Sequence, residues 1–405
     1  MPLLMLGMLW TSSVEAQSLQ PLPWSAAETS SRLSALMQSS DVIWLESTSS
    51  GDFIQASVFT QIPAAADAAF ELMRQPENYK RMSPSVESVE VLERNEKTLR
   101  YRTKVHIPFG SIHNDIQMTL SPPERIETSF VEGDLKTGDF VWNFVPLSSN
   151  LSSVIYTLKT DVRETNWMVR QAVKTRPETQ HGGNSGIGLI TVWGLKRLIL
   201  GEKSDLKKRE PSPWLNQEVE LPLKLTGDMS RWRALTPMLE RGPLVQVEST
   251  SRGRLKRVTV YARTRSTPEQ LYEVVAHPEK YPSRTSHISE VRVLERTAEK
   301  IRYQSVVELM KLRYTSEEEL QLFPLRVLQR TRSGDLEGAA WQLELQSLGP
   351  RETLAAYSYY MDPSRHGWII RQIFALDPLV EHIFAISGGY GSLSGLMRAA
   401  EQLKP

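Results

Sequence analysis

The chain is written twice. Shifted by 202 residues against itself, it matches Glu46-Ser47-Thr48-Ser49-Ser50-Gly51 to Glu248-Ser249-Thr250-Ser251-Arg252-Gly253, and Pro76-Glu77-Asn78-Tyr79 to Pro278-Glu279-Lys280-Tyr281. Val91-Leu92-Glu93-Arg94 answers Val293-Leu294-Glu295-Arg296, and Arg100-Tyr101 answers Arg302-Tyr303. Later the shift becomes 201: Gly133-Asp134-Leu135 answers Gly334-Asp335-Leu336, and Trp167 with Arg170 answers Trp368 with Arg371. A colinear series across most of both halves requires one fold used twice. The unit is too long for a solenoid repeat, so each copy is expected to be a complete domain with its own core. The copies span 27–200 and 230–405, joined by a linker over 201–229 whose segment Lys203 to Pro213 is rich in Lys, Arg, Glu and Pro.

Composition narrows the classes. At 40% hydrophobic and 23% charged, the chain is neither disordered nor fibrous. A net charge of +1 gives no basis for a nucleic-acid surface. With no cysteine, disulfides, cysteine-based zinc sites and thiol catalysis are excluded. Leu3 to Trp10 is apolar, and Val14-Glu15-Ala16 offers a small-residue cleavage site, so 1–16 is expected to be a secretory signal peptide. The expected location is then the periplasm or the outside of the cell, or the cytoplasm if the segment is not a signal. No other window approaches the ~18 apolar residues of a membrane span.

Within a copy, a short helix (Ala27 to Gln38; Trp232 to Glu240) precedes a β-hairpin (Val42 to Glu46 with Phe53 to Gln61; Leu244 to Glu248 with Leu255 to Arg263). Pro63 to Asp67 and Thr267 to Glu269 open a second helix, with Phe70 to Met73 and Leu271 to Val275 as its apolar side. A short helical turn follows at Glu77 to Arg81 and at Glu279 to Pro282. The period then changes to two. In the first copy this predicts strands over Val86 to Arg94, Thr98 to Ile107, Ile112 to Leu120, Arg125 to Glu132, Asp139 to Leu147 and Ser153 to Val162, an antiparallel meander. The copy closes with helix over Trp167 to Lys174 and Gly188 to Leu200. Between these, Arg176-Pro177 and His181-Gly182-Gly183-Asn184 read as a loop. The second copy's closing helix runs from about Trp368 to Leu403.

This element order, with Pro63 to Phe70, Pro76-Glu77-Asn78-Tyr79 and Pro84 to Val91 and their second-copy counterparts, resembles the opening of the START-like, polyketide cyclase-like superfamily. That group includes plant pathogenesis-related allergen-like and coenzyme Q-binding START-like proteins. Where the family often has Tyr-x-x-Trp, this chain has Met82 and Arg284. The resemblance implies an α+β chain of two tandem helix-grip domains, each a curved antiparallel sheet wrapped around a long C-terminal helix. It also implies an apolar cavity between sheet and helix that holds a lipid, quinone or polyketide-like molecule. Candidate ligand-binding residues are then Tyr101, Val105, Asn114, Ile116, Met118, Trp142, Tyr156 and Trp167 in the first copy. In the second they are Tyr303, Tyr314, Glu318, Leu320, Trp341, Tyr359 and Trp368.

Chemistry is sparse. The seven histidines form no His-x-x-x-His or His-Glu-x-x-His pattern and are expected on the surface or in loops, so no metal is expected. Gly388-Gly389-Tyr390-Gly391-Ser392 and Gly183-Asn184-Ser185-Gly186 are neither nucleophile elbows nor nucleotide loops, and they read as flexible breaks. Glu317-Glu318-Glu319 stands out because Glu318 aligns with apolar Ile116. The plainer reading is a local register slip with the run solvated. The sharper one is a buried carboxylate with a shifted pKa. No cofactor and no catalytic residue is assigned. The leading expectation is non-enzymatic binding or carriage of a hydrophobic small molecule or lipid, with transient membrane contact. The rivals are an aromatase/cyclase-like or hydrolase-like enzyme, marked by polar groups converging in the cavity, and a protein-binding pair of domains with filled cores.

Overall fold

A computed structural model describes residues 19–83, 85–107, 110–164, 170–171, 173–174, 178–201, 221–225, 227, 229–250, 254–284, 288–309, 312–361 and 380–403. The proposed leader, most of the linker, Trp167 and Trp368 lie outside them. The first copy runs α1 (Ala26–Met37), β1 (Asp41–Ser47), β2 (Phe53–Ile62), α2 (Ala66–Met73), α3 (Tyr79–Met82), β3 (Val86–Arg94), β4 (Thr98–Ile107), β5 (Gly110–Ser121), β6 (Arg125–Gly133), β7 (Gly138–Ser148), β8 (Leu151–Thr160) and α4 (Glu178–Leu200). The second copy begins with α5 (Ser230–Ala234), α6 (Thr236–Leu239), β9 (Leu244–Ser249), β10 (Leu255–Thr264), α7 (Pro268–Val275) and α8 (Tyr281–Arg284). It continues with β11 (Ile288–Arg296), β12 (Lys300–Leu309), β13 (Leu312–Phe323), β14 (Arg326–Gly334), β15 (Ala340–Gly349), β16 (Glu352–Tyr360) and α9 (Val380–Glu401). These are two α+β domains, each with antiparallel strands packed against a long helix.

The sequence repeats mark joints. Pro76 and Pro278 each start a tight helical turn that places a glutamate and a tyrosine. Glu77 meets Arg94 at 2.6 Å, and Glu279 meets Arg296 at 2.6 Å, which ties the turn to β3 or β11. Tyr79 and Tyr281 donate to the carbonyls of Met73 and Val275 at 3.4 and 2.7 Å, capping the end of the preceding helix. Gly133 and Gly334 sit at φ 138° and 98°, where a side chain is disfavoured, and a Cβ would strike the carbonyl oxygen of His113 or Thr315. The next residue, Asp134 or Asp335, accepts the N–H of His113 or Thr315 at 2.7 or 2.8 Å.

The copies do not keep separate cores, which corrects the expectation from repeat length. β1 pairs antiparallel with β9, Asp41 opposite Val247 and Trp44 opposite Leu244, so the sixteen strands among the described residues form one sheet in the order β11-β12-β13-β14-β15-β16-β10-β9-β1-β2-β8-β7-β6-β5-β4-β3. The central strands are covered on both faces, so β1 is buried nearly end to end. On one face Ile43, Leu45, Val245 and Val247 join the core under α4 and α9, which runs unbroken from one copy to the other. On the opposite face Val42, Trp44, Leu244 and Tyr261 pack with Leu33 and Leu36 of α1, Trp232 of α5 and Met238 of α6. Trp44 is fully buried, and its indole N–H donates to the Met238 carbonyl at 3.0 Å across the seam. The two edge strands, β3 and β11, alternate Glu and Arg with apolar residues, which discourages further strand pairing.

Two further expectations are corrected at the seam. His181 to Asn184 is not a loop: α4 runs through it, because α9 packs directly against those small residues. A methyl group on Gly182 would overlap Ser387, and one on Gly186 would overlap Ile383. Gly388 to Ser392 is likewise helical within α9. Nor are all histidines superficial. His181 and His382, equivalent in the repeat, are each 1% exposed. His181 Nε2 is hydrogen-bonded with Ser47 Oγ at 2.9 Å, and His382 Nε2 with Ser249 Oγ at 3.3 Å.

Trp44→Ala removes a large side chain from this shared layer and is expected to cost about 3–5 kcal/mol. Scanning calorimetry should show one unfolding transition moving down as a unit. Two separate transitions, only one of them shifted, would contradict the shared core.

Candidate ligand site between sheet and helix

Strand alternation decides what faces each long helix. In the first copy the inward set includes Tyr101, Ile116, Met118, Trp142 and Tyr156, all buried. Trp142 lies 4.2 Å from Tyr156 by ring centroids, and Tyr101 lies 5.8 Å edge-on from Tyr79. Val105 is half-buried on the same strand. Asn114 faces in but is used locally: its amide donates to the Leu135 carbonyl at 2.8 Å and so locks the β6–β7 turn. The first copy's interior is therefore mainly aromatic and aliphatic, with the Thr103 and Thr128 hydroxyls among the rings, and burial holds the Tyr101 and Tyr156 hydroxyls far above their usual pKa.

The second copy brings together Tyr303, Glu318, Leu320, Trp341 and Tyr359, while Tyr314 packs apart from them with Val307, Leu336 and Phe384. Trp341 and Tyr359 are half-buried, and Tyr357 stacks between them at centroid distances of 5.5 and 6.3 Å.

Glu318 does not sit in a solvated run. β13 keeps its register on β12, Tyr303 opposite Glu318, and the irregularity falls only on the β14 side, between Glu317 and Glu318. The Glu318 side chain thus points inward, 7% exposed, while Glu317 and Glu319 point out to Arg302 and Arg332. Ser305 donates to its carboxylate at 2.8 Å. Burial pushes the Glu318 carboxyl above its usual value, and hydrogen bonds from Tyr303, Ser305 and Gln329 only partly offset this. Its field also raises the hydroxyls of Tyr281, Tyr303, Tyr357 and Tyr359, in each of which burial is the larger cause. Sequence reasoning missed Ser305, Gln329 and Tyr281. The signal for the first two was available: they stand on the inward face of β12 and β14, two strand positions from apolar neighbours.

The helices also sit differently. Gly188 and Gly389 are equivalent in the repeat. A methyl on Gly188 would come within 2.6 Å of Val58, whereas one on Gly389 would lie 3.3 Å from Val260 and 3.9 Å from Tyr359. At Gly388 the nearest atom is 3.5 Å away, on the Tyr359 ring. At this position the second copy's helix leaves more room over its sheet.

The polyketide cyclase / dehydrase and lipid transport family matches this chain twice, over residues 62–179 and 266–377, and the chain belongs to it. The match extends to the superfamily and not to a coenzyme Q-binding subtype. Among solved structures, the di-domain ARO/CYC BexL from the BE-7585A biosynthetic pathway is 15% identical, with 87% of this chain and 100% of that one covered and a TM-score of 0.31. The di-domain ARO/CYC StfQ from the steffimycin pathway is 12% identical, covering 85% and 98%, at 0.32. The ZhuI aromatase/cyclase from Streptomyces sp. R1128 is 18% identical over 36% of this chain and 95% of its own, at 0.29. No curated protein sequence matches the chain.

Two outcomes follow from this geometry. Because Glu318 holds its proton more tightly folded than unfolded, stability is lost as pH rises from the usual carboxylate value of 4.5 through the raised one. Denaturant titrations should show wild type losing stability relative to Glu318→Gln over that interval. A constant difference would mean the carboxyl is not titrating in isolation from water. Gly388→Ala should be neutral or stabilise by up to about 1 kcal/mol through helix propensity, whereas Gly188→Ala should destabilise. Equal losses at both would remove the contrast between the helices.

Proposed function

We propose that this chain binds or carries an apolar small molecule — a lipid, quinone or polyketide-like compound — between the sheet and the long helix, without transforming it. One observation carries the reading: in the second copy a wall of Trp341, Tyr357 and Tyr359 faces small residues of the long helix, Gly388, Gly389 and Ser392, with more room at Gly389 than at its first-copy equivalent Gly188. Large flat rings opposite small residues form a surface suited to an apolar guest. The leader-like residues 1–16 support carriage in the periplasm or outside the cell, with transient membrane contact where the guest is loaded.

Glu318 favours a second reading. A buried carboxyl with a raised pKa beside Tyr303 and Ser305 is the convergence that an acid–base enzyme needs. The two readings separate in one experiment. Native mass spectrometry of the gently purified chain, followed by organic extraction, should recover a bound hydrophobic molecule that returns unchanged after re-addition and incubation. Conversion of that molecule would establish the enzyme instead. A ligand-free protein that takes up neither added phospholipid nor added quinone would overturn the binding reading.

A further inference from the structure

The two interiors can be compared position by position because their strand registers coincide. Tyr101 faces Ile116 as Tyr303 faces Glu318, and Ile116 faces Phe130 as Glu318 faces Thr331. On the same registers Ser305 replaces Thr103, Gln329 replaces Thr128 and Tyr359 replaces Leu158. The differences gather in one place. Where the first copy has Ile116 and the Phe130 ring, which fills the space a side chain at Gly138 would take, the second has the Glu318 carboxyl and the Thr331 hydroxyl, with the Gln329 amide beside them in place of Thr128.

One atom in that cluster lacks a partner. Gln329 is 3% exposed, its amide nitrogen donates to Thr331 Oγ1 at 3.3 Å and to the Glu318 carboxyl, and its Oε1 has no hydrogen-bond partner among the described residues. A buried acceptor without a donor is costly, so its retention calls for something that supplies one. The neighbouring Glu318 carboxyl already takes the Ser305 hydroxyl.

We propose that the second copy's interior binds its apolar guest through a neutral hydroxyl group, which donates to Gln329 Oε1 beside the Glu318 carboxyl, and that the first copy's interior takes no guest. This rests on the binding reading above and names the chemistry of its ligand. The stacked Trp341, Tyr357 and Tyr359 rings suit a flat apolar body behind that hydroxyl. An anionic headgroup is disfavoured, because it would be stripped of water beside a carboxyl that burial already pushes toward its protonated form. Tight packing of α4 at Gly188 leaves the first copy as the scaffold for the seam.

The test uses the full chain and a matched pair of probes, 2-naphthol and 2-methoxynaphthalene, which differ in the ability to donate. Calorimetric titration at neutral pH should show one molecule bound per chain and a preference for 2-naphthol of about tenfold, the size of one buried hydrogen bond. The double variant E318I/Q329T carries the first copy's residues. It should bind 2-methoxynaphthalene as before while the preference falls to about one. If that variant does not fold, Gln329→Met, which keeps the length and removes the acceptor, carries the same expectation. Equal wild-type affinities for the two probes would overturn the hydroxyl assignment and leave apolar binding standing. Two molecules per chain would overturn the assignment to one copy. Binding of neither probe would overturn this inference and the reading beneath it together.

Discussion

The ladder between β1 and β9 is the constraint on which the rest of the molecule depends. Four residue pairs, from Asp41 opposite Val247 to Trp44 opposite Leu244, turn two domain sheets into one. Once joined, the central strands need cover on both faces. The N-terminal helices supply it behind, around Trp44 and Trp232, and the two long helices supply it in front. The long helices are then forced against each other, and Gly182 and Gly186 are the residues that permit the approach. Asp41 fastens α4 to the seam. Burial would push its carboxyl up, but Lys196 at 2.6 Å, Thr60 and the Trp193 indole hold it below its ordinary value. Arg241 of the second copy reaches Glu46 of the first, closing the same seam from its far end.

Duplication at the level of backbone has not preserved the interiors. The joints that set the fold, the capped helix end at Tyr79 and Tyr281 and the left-handed Gly133 and Gly334, are kept in both copies. The inward faces have diverged: Glu318 and Gln329 of the second stand where the first has Ile116 and Thr128, and the second leaves more room at Gly389 than the first does at Gly188. A tandem chain can divide labour in this way, because a filled domain braces its neighbour and releases it from supplying all of its own packing.

Much of this was legible in the sequence, for reasons that are local. Strand alternation and turn residues placed β3 and β4 at Val86–Arg94 and Thr98–Ile107, the bounds the structure gives. What failed was set by contacts distant in sequence. Glycines at 182, 183 and 186 read as a break because helix propensity counts against them, and only the packing of α9 on Gly182 and Gly186 and of Val162 on Gly183 shows why they are there. His181 and His382 read as superficial because their partners, Ser47 and Ser249, lie more than a hundred residues away. The seam itself left no mark except the unbroken apolar run of β1. Glu318 was visible as an anomaly against Ile116, but choosing between a slipped register and a buried charge required the β12–β13 pairing. The candidate residues mostly fell on the inward face because period two fixes it. Gln329 and Ser305 were passed over because polar residues in strands ordinarily face water.

A second copy that binds and a first copy that braces it leave different contents in the two interiors. A crystal structure of the full chain, purified without detergent or solvent from the cells that make it, tests this directly. Connected density for an apolar molecule is expected between α9 and the Trp341, Tyr357 and Tyr359 rings, with a polar end at Gln329 and Glu318. The space beneath α4 should be filled by protein alone. Density beneath α4 with none beneath α9 would contradict it.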